Sequence, residues 1–152
     1  MDFPNLFTQE VSDKIIQRID RLTPDTLPLW GKMDVAQMLA HCNVTYELIY
    51  ENIHKKHNIL MQLVIRAFVK KRIVGASPYK RNLPTGPAFL IKDTRNFETE
   101  KNRLKTYIRK TQQLGETHFN QKASHSFGKL NVNEWNNMFY KHLDHHLTQF
   151  GV

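Results

Sequence analysis

One segment near the end of the chain, WNNMFYKHLDHHLTQF from Trp135 to Phe150, limits the possible folds more than any other. Trp135, Phe139, His142, His146 and Phe150 follow one another at steps of four, three, four and four, the apolar stripe of a core-facing helix. Two of those five positions hold imidazoles where the pattern expects Leu or Ile. Burying an imidazole is costly unless its ring nitrogens find partners. Residues i and i+4 lie one turn apart on the same helical face, so His142 and His146 can share a single partner, and a divalent metal ion is one that both rings can bind. A hydrogen-bonded pair fits the bare spacing equally well, because the Glu of an H-E-x-x-H motif is missing.

The rest of the chain reads as helices joined by loops. Val11, Ile15, Ile16, Ile19 and Leu22 mark a first amphipathic helix that closes before Pro24. A loop containing Pro24, Pro28 and Gly31 follows. Asp34-x-x-Gln37 has the form of a capping box and opens a second helix, expected to run to about Asn52, with Val35, Met38, Leu39, Cys42, Tyr46 and Ile49 on its buried stripe. Lys56 to Ile73 is helical but mixed, with Leu60, Leu63, Val64 and Phe68 inward and Arg66, Lys70, Lys71 and Arg72 on other faces. Gly75 to Pro87 is a long loop. Phe89-Leu90-Ile91 reads as a short extended patch covering one end of the domain. Asp93 or Thr94 caps a third long helix through Phe97, Leu104, Tyr107 or Ile108, and Leu114, with Gly115 as its stop. Glu116 to Lys129 is a connector without a hairpin signal, and Asn131-x-x-Glu134 is a second capping box opening the histidine helix. The expected fold is all-α: one domain over residues 1–152, a four-helix bundle with an additional helix and one long crossing loop.

Two histidines leave a zinc ion short of ligands, since such sites take at least three from the protein. In a bundle, facing helices supply one interior site. The candidate third ligand is His41, one step of three beyond Met38 and therefore leaning toward the core, although a lone histidine in such a place also serves as a hydrogen-bonded core residue. The other histidines fit less well. His54 and His57 bracket two lysines, His118 and His125 lie in the connector, and His145 points about 100° away from His146.

At this point two motifs carry a resemblance. WGKMDVAQMLAHC (Trp30 to Cys42) and HSFGKLNVNEWNNMFYKHLDHHLTQFG (His125 to Gly151) resemble the DinB/YfiT-like superfamily of small four-helix-bundle metal proteins, in an uncharacterised branch. The resemblance implies a divalent metal, zinc or nickel, held by one histidine of the second helix and two of the last. On this chain those are His41, His142 and His146. Some members of that superfamily transfer low-molecular-weight thiols such as bacillithiol or mycothiol, and others are hydrolases or isomerases. The common ending H-H-R-G-Q is here His145-His146-Leu147-Thr148-Gln149, so the basic residue after the pair is missing.

Three functions follow as expectations. The first is a metal-dependent transferase or hydrolase that activates a water or thiol at the three-histidine site. Its open position would face the loop of Tyr79 to Arg81, with Lys80 and Arg81 drawing an anionic substrate. Glu47, Glu51 and Asp144 are the general-base candidates. The second is a non-enzymatic module that binds polyanions, because His54 to Lys110 holds fifteen of the twenty-two Lys and Arg residues against three acids. No nucleic-acid-binding signature accompanies that charge, so no specific nucleic-acid partner is expected. The third is a membrane-surface role for Asn58 to Ile73. The partners expected of the enzyme are a small-molecule substrate, with a low-molecular-weight thiol among the candidates, and a second copy in a homodimer. Cys42 is the single cysteine; it lies on the apolar stripe and reads as a buried, inert thiol. With no secretory signal pattern in MDFPNLFTQEV and no apolar run long enough for a span, the expected location is cytoplasmic, without a transmembrane segment.

Overall fold

The computed structural model describes residues 2–51, 53–56 and 58–152. Among these the chain is mostly helical, with α1 (Gln9–Asp20), α2 (Val35–Tyr50), α3 (Ile59–Phe68), α4 (Lys70–Val74), α5 (Phe97–Phe119) and α6 (Val132–Gln149). A single 3-10 turn lies at Pro87–Phe89, and a two-stranded antiparallel hairpin pairs β1 (Lys122–Ser124) with β2 (Gly128–Leu130). No helix is long and apolar enough to cross a membrane among the described residues.

Local chemistry sets the helix starts. Asp34 and Gln37 form a reciprocal capping box at α2, and Asn131 and Glu134 do the same at α6. Each box satisfies two backbone donors that a helix start leaves orphaned. Thr8 caps α1 and Asn58 caps α3. The cap of α5 is Asn96, whose side chain accepts from Thr99 N at 2.9 Å, rather than the expected Asp93 or Thr94.

α1, α2, α5 and α6 pack around one core. Aromatic rings tie three of them together: Tyr46 of α2 stacks on Phe139 of α6 with centroids 5.3 Å apart, and Phe139 meets Phe119 of α5 at 5.4 Å and Trp135 at 5.5 Å. α2 sits innermost. Every residue from Met38 to Glu47 is buried, not only the expected stripe. Its polar side chains are therefore forced to find partners inside the protein. The expected helix end at about Asn52 lies outside the described residues; the helix itself ends at Tyr50.

Two further expectations are corrected, those for the connector and for the segment after Lys56. Gly115, the expected stop, does break the helix: it takes φ +68°, which a residue without Cβ adopts at little cost, and a short helical stretch follows to Phe119. The connector after it contains a hairpin, so the molecule is not purely α. Its turn rests on Ser124, whose hydroxyl donates to Gly128 O and whose oxygen accepts from Phe127 N, a signal too local to show as alternating hydrophobicity. The mixed segment after Lys56 is two helices broken at Val69, and α3 has no buried residue at all.

Candidate metal centre

Full burial of α2 puts His41 in the interior, facing α6 and the 3-10 turn. His41 and His146 are buried at 6% and 8% exposure, and His142 lies partly buried beside them. The ring centroid of His41 lies 5.0 Å from that of His142 and 4.5 Å from that of His146, and the two α6 rings are 4.9 Å apart. The three offer one ligand atom each within 4.8 Å of one another, a group that could hold a metal ion.

The outer nitrogens explain the inner ones. His41 Nδ1 lies 2.9 Å from the carbonyl oxygen of Phe89. A carbonyl only accepts, so that nitrogen carries the proton and Nε2 keeps a lone pair. Gln149 donates its amide Nε2–H to Trp30 O at 2.7 Å, which turns its Oε1 toward His146 Nδ1 at 2.8 Å. His146 Nδ1 is therefore also the donor, and its Nε2 is bare. His142 Nδ1 lies 3.0 Å from the hydroxyl of Thr45, one helical turn beyond His41. Each ring thus has its own oxygen at Nδ1, leaving Nε2 for the centre. Metal-binding histidines are commonly oriented by such a partner at the distal nitrogen.

The separation of His41 and His142 is close to what one ion needs. His41 Nε2 and His142 Nε2 are 3.0 Å apart. Two nitrogens at about 2.0–2.1 Å from one tetrahedral zinc are separated by about 3.3 Å. Electrostatics favours the neutral, ligating form. Desolvation by burial lowers His142 well below the ordinary imidazole value, with His146 and His41 adding to it. Burial, then His41, lowers His146 to about 3, and burial lowers His41 in the same direction.

Two loops cover the centre. Phe89 sets its ring 5.3 Å from His41 and 6.0 Å from His142, so the segment expected to be an extended cover is instead a tight turn that contributes both a ring and a carbonyl. Tyr79 lies 6.4 Å from His142 and 5.8 Å from His145. His145 stays outside the three-histidine group, with its ring 5.9 Å from Trp30, and the Arg81 guanidinium lies 4.0 Å over that same indole. Lys80 is exposed next to it.

A buried lysine that no sequence pattern singles out anchors the second loop. Lys141, adjacent to His142, is 3% exposed and donates to Arg72 O, Gly75 O and Ser77 O at 2.9, 2.6 and 3.0 Å. Burial lowers its ammonium to about 8, so it remains charged at neutral pH while it holds the end of α4 and the start of the loop.

The general-base candidates are engaged elsewhere. Glu47 accepts from Arg103 at 2.6 Å and faces His54 Nε2 at 2.8 Å. Glu51 accepts from the Tyr107 hydroxyl. Asp144 pairs with Arg18 at 2.7 Å. Cys42 is 1% exposed with its sulfur toward Met38, and burial pushes its thiol pKa up. Of the outlying histidines, His118 is exposed at the end of α5 and His125 lies in the hairpin turn near His54 O, while His57 lies outside the described residues. Phe89, Thr45 and Gln149 were the residues missed. Thr45 and Gln149 sit at i+4 from His41 and i+3 from His146, a spacing that signals adjacency; the apolar patch at Phe89 signals a cover, but no sequence pattern shows its carbonyl meeting His41.

A family model described as a protein of unknown function, DUF1569, matches residues 4–151. The chain belongs to the DUF1569 family. No curated protein and no solved structure matches it. In this DUF1569 chain the match spans both helices that carry the histidines, the two loops over them and the hairpin.

Proposed function

We propose that this DUF1569 protein is a divalent-metal protein with a four-helix bundle of the DinB/YfiT-like kind, and that it acts as a metal-dependent transferase or hydrolase. His41, His142 and His146 are its ligands, and zinc or nickel is its ion. The observation that carries this reading is the pairing of each Nδ1 with a separate oxygen while the three Nε2 atoms turn to one centre. His41 and His146 keep a bare Nε2 for that centre, and the Thr45 hydroxyl can accept from His142 Nδ1 to free the third.

A divalent ion held by three neutral imidazoles keeps its full charge and lowers the pKa of a bound water or thiol. The surrounding residues have other tasks. Phe89 O and Gln149 hold His41 and His146 in their tautomers, and Thr45 holds the His142 ring in place. Phe89 and Tyr79 exclude bulk water from the centre, which strengthens every charge interaction inside. Lys80 and Arg81 favour an anionic substrate, in line with a low-molecular-weight thiol. Glu47, Glu51 and Asp144 each spend their carboxylate on a partner away from the rings, so none of them is assigned as the base.

Metal analysis of the purified chain tests the proposal. About one zinc or nickel ion per chain is expected, with loss in His41→Ala, His142→Ala and His146→Ala and retention in His145→Ala. Full occupancy in the His142→Ala/His146→Ala double variant overturns it. A screen of thiol cofactors against electrophiles, and of hydrolysable esters and amides, then separates transferase from hydrolase.

A further inference from the structure

α3 is capped and hydrogen-bonded like a packed helix, yet its apolar residues face outward. Leu60, Leu63, Val64 and Phe68 are 73%, 55%, 45% and 77% exposed, and Ile59 before them is 80% exposed. At 100° per residue, the outward apolar positions from Ile59 to Phe68 cover about 200° of the helix. Gln62 and Ile65 turn toward the protein and are only partly exposed. A contiguous apolar surface of this kind is uncommon on a monomer without a partner.

The charge around that face selects the partner. From residue 52 to residue 92 there is not one Asp or Glu, and nine Lys and Arg residues occur there. Lys55, Lys56, Arg66, Lys71 and Arg72 are exposed on either side of or along α3, whereas Lys70 is held by Glu134 at 3.0 Å. A second copy seated symmetrically on α3 would bring two such cationic rims together, and the acids beside them are already engaged, Glu134 by Lys70 and Asp2 by Asn133 and Asn137. The complementary surface is apolar within and anionic at its rim, which is the chemistry of a bilayer interface containing acidic lipids.

We propose that α3, flanked by these basic residues, docks the protein onto an anionic lipid surface, lying in the interface plane with Leu60, Leu63, Val64 and Phe68 below the headgroups. The docking does not depend on the histidine centre. α3 is too short to span and binds reversibly, by apolar burial and charge together.

Flotation of the full chain with phosphatidylcholine vesicles, and with vesicles containing three parts phosphatidylcholine to one of phosphatidylglycerol, tests this. Strong binding to the anionic vesicles is expected, with at least a tenfold loss on neutral vesicles and a marked loss at about 0.5 M salt. Leu60→Ser/Phe68→Ser and Lys71→Glu/Arg72→Glu should each weaken binding at least about tenfold, with helix content, metal content and thermal midpoint unchanged, since these side chains are exposed. Absence of binding to anionic vesicles overturns the proposal, as does binding that the Leu60→Ser/Phe68→Ser variant retains. Sedimentation equilibrium of the wild type supplies the remaining arm. A dimer that this variant converts to monomer would show that a second copy covers the face, and would overturn it too.

Discussion

At the residue scale, the side chains behind the histidines matter as much as the histidines. Gln149 joins His146 Nδ1 to the carbonyl of Trp30, and Gly31 makes room for it: a Cβ at that position would come within 2.5 Å of Gln149 Nε2, at a backbone φ of +88°. Gln149→Leu should lower metal affinity about 10–100-fold while helix content is retained, read by competition with a chromophoric chelator. Unchanged affinity would mean that packing alone orients His146. Cys42→Ser should keep the metal and cost about 1–3 kcal/mol in chemical denaturation, because it buries a hydroxyl among apolar groups. Acid acts on the same residues with a definite sign. In the unfolded chain His146 titrates near its ordinary value of 6.5, and in the fold burial lowers it to about 3. Between those values the unfolded state binds more protons, so stability is fully present above about pH 6.5 and declines as pH falls toward about 3. After metal removal, the urea midpoint of the wild type should drop more between pH 7.5 and pH 5 than that of His146→Asn. Equal drops would contradict the buried, neutral imidazole.

At the element scale, α2 shows why a polar residue on an interior helix is informative. With both its sides covered, Asn43 bonds to Glu100, Thr45 to His142 and Glu47 to Arg103, so the helix is held at several heights and His41 cannot turn to solvent without breaking them. α6 adds Lys141, which ties three carbonyls at and beyond the end of α4. Lys141→Met should cost about 2–3 kcal/mol, since it strands those carbonyls, and should speed amide exchange over residues 72–79. Exchange that stays slow there would show that the loop is held by other contacts. In α5 the kink at Gly115 has open space around it, and a Cβ added there would meet nothing within 4 Å. Gly115→Ala should therefore cost only backbone strain, about 1–3 kcal/mol, because φ +68° with ψ 179° lies in a region nearly confined to glycine.

At the scale of the whole molecule, a tight ion would link two helices, α2 and α6, that are joined otherwise by side-chain packing and by contacts such as Thr45 to His142. An ion that binds only the folded chain adds about 2.7 kcal/mol when its free concentration is 100 times Kd. For a chain of this size, 1 kcal/mol moves the midpoint by about 2–4 °C. Chelation should thus lower the melting temperature by about 5–10 °C, and the His142→Ala/His146→Ala variant should show no such response in the same calorimetric scan. The basic face and the histidine centre lie on different elements, so salt should affect association with anionic lipid surfaces far more than it affects metal retention.

The helix starts, the inward stripes of α1 and α6 and the i, i+4 histidine pair are legible in the sequence because capping and amphipathicity are local, acting over three or four residues. So is the candidacy of His41, although only its lean toward the core. What tertiary structure decided depends on residues far apart in the chain. The 48-residue separation of His41 from Phe89 and the 119-residue separation of Gln149 from Trp30 leave no periodic trace. Nor does local pattern reveal how many sides of a helix are covered: α2 is buried all round and α3 hardly at all, though both read as one-sided stripes. Periodicity records which face is apolar. Whether another element, a ligand or solvent meets that face is set by the packing of the remaining helices, and the hairpin follows from turn geometry that hydrophobic spacing does not encode.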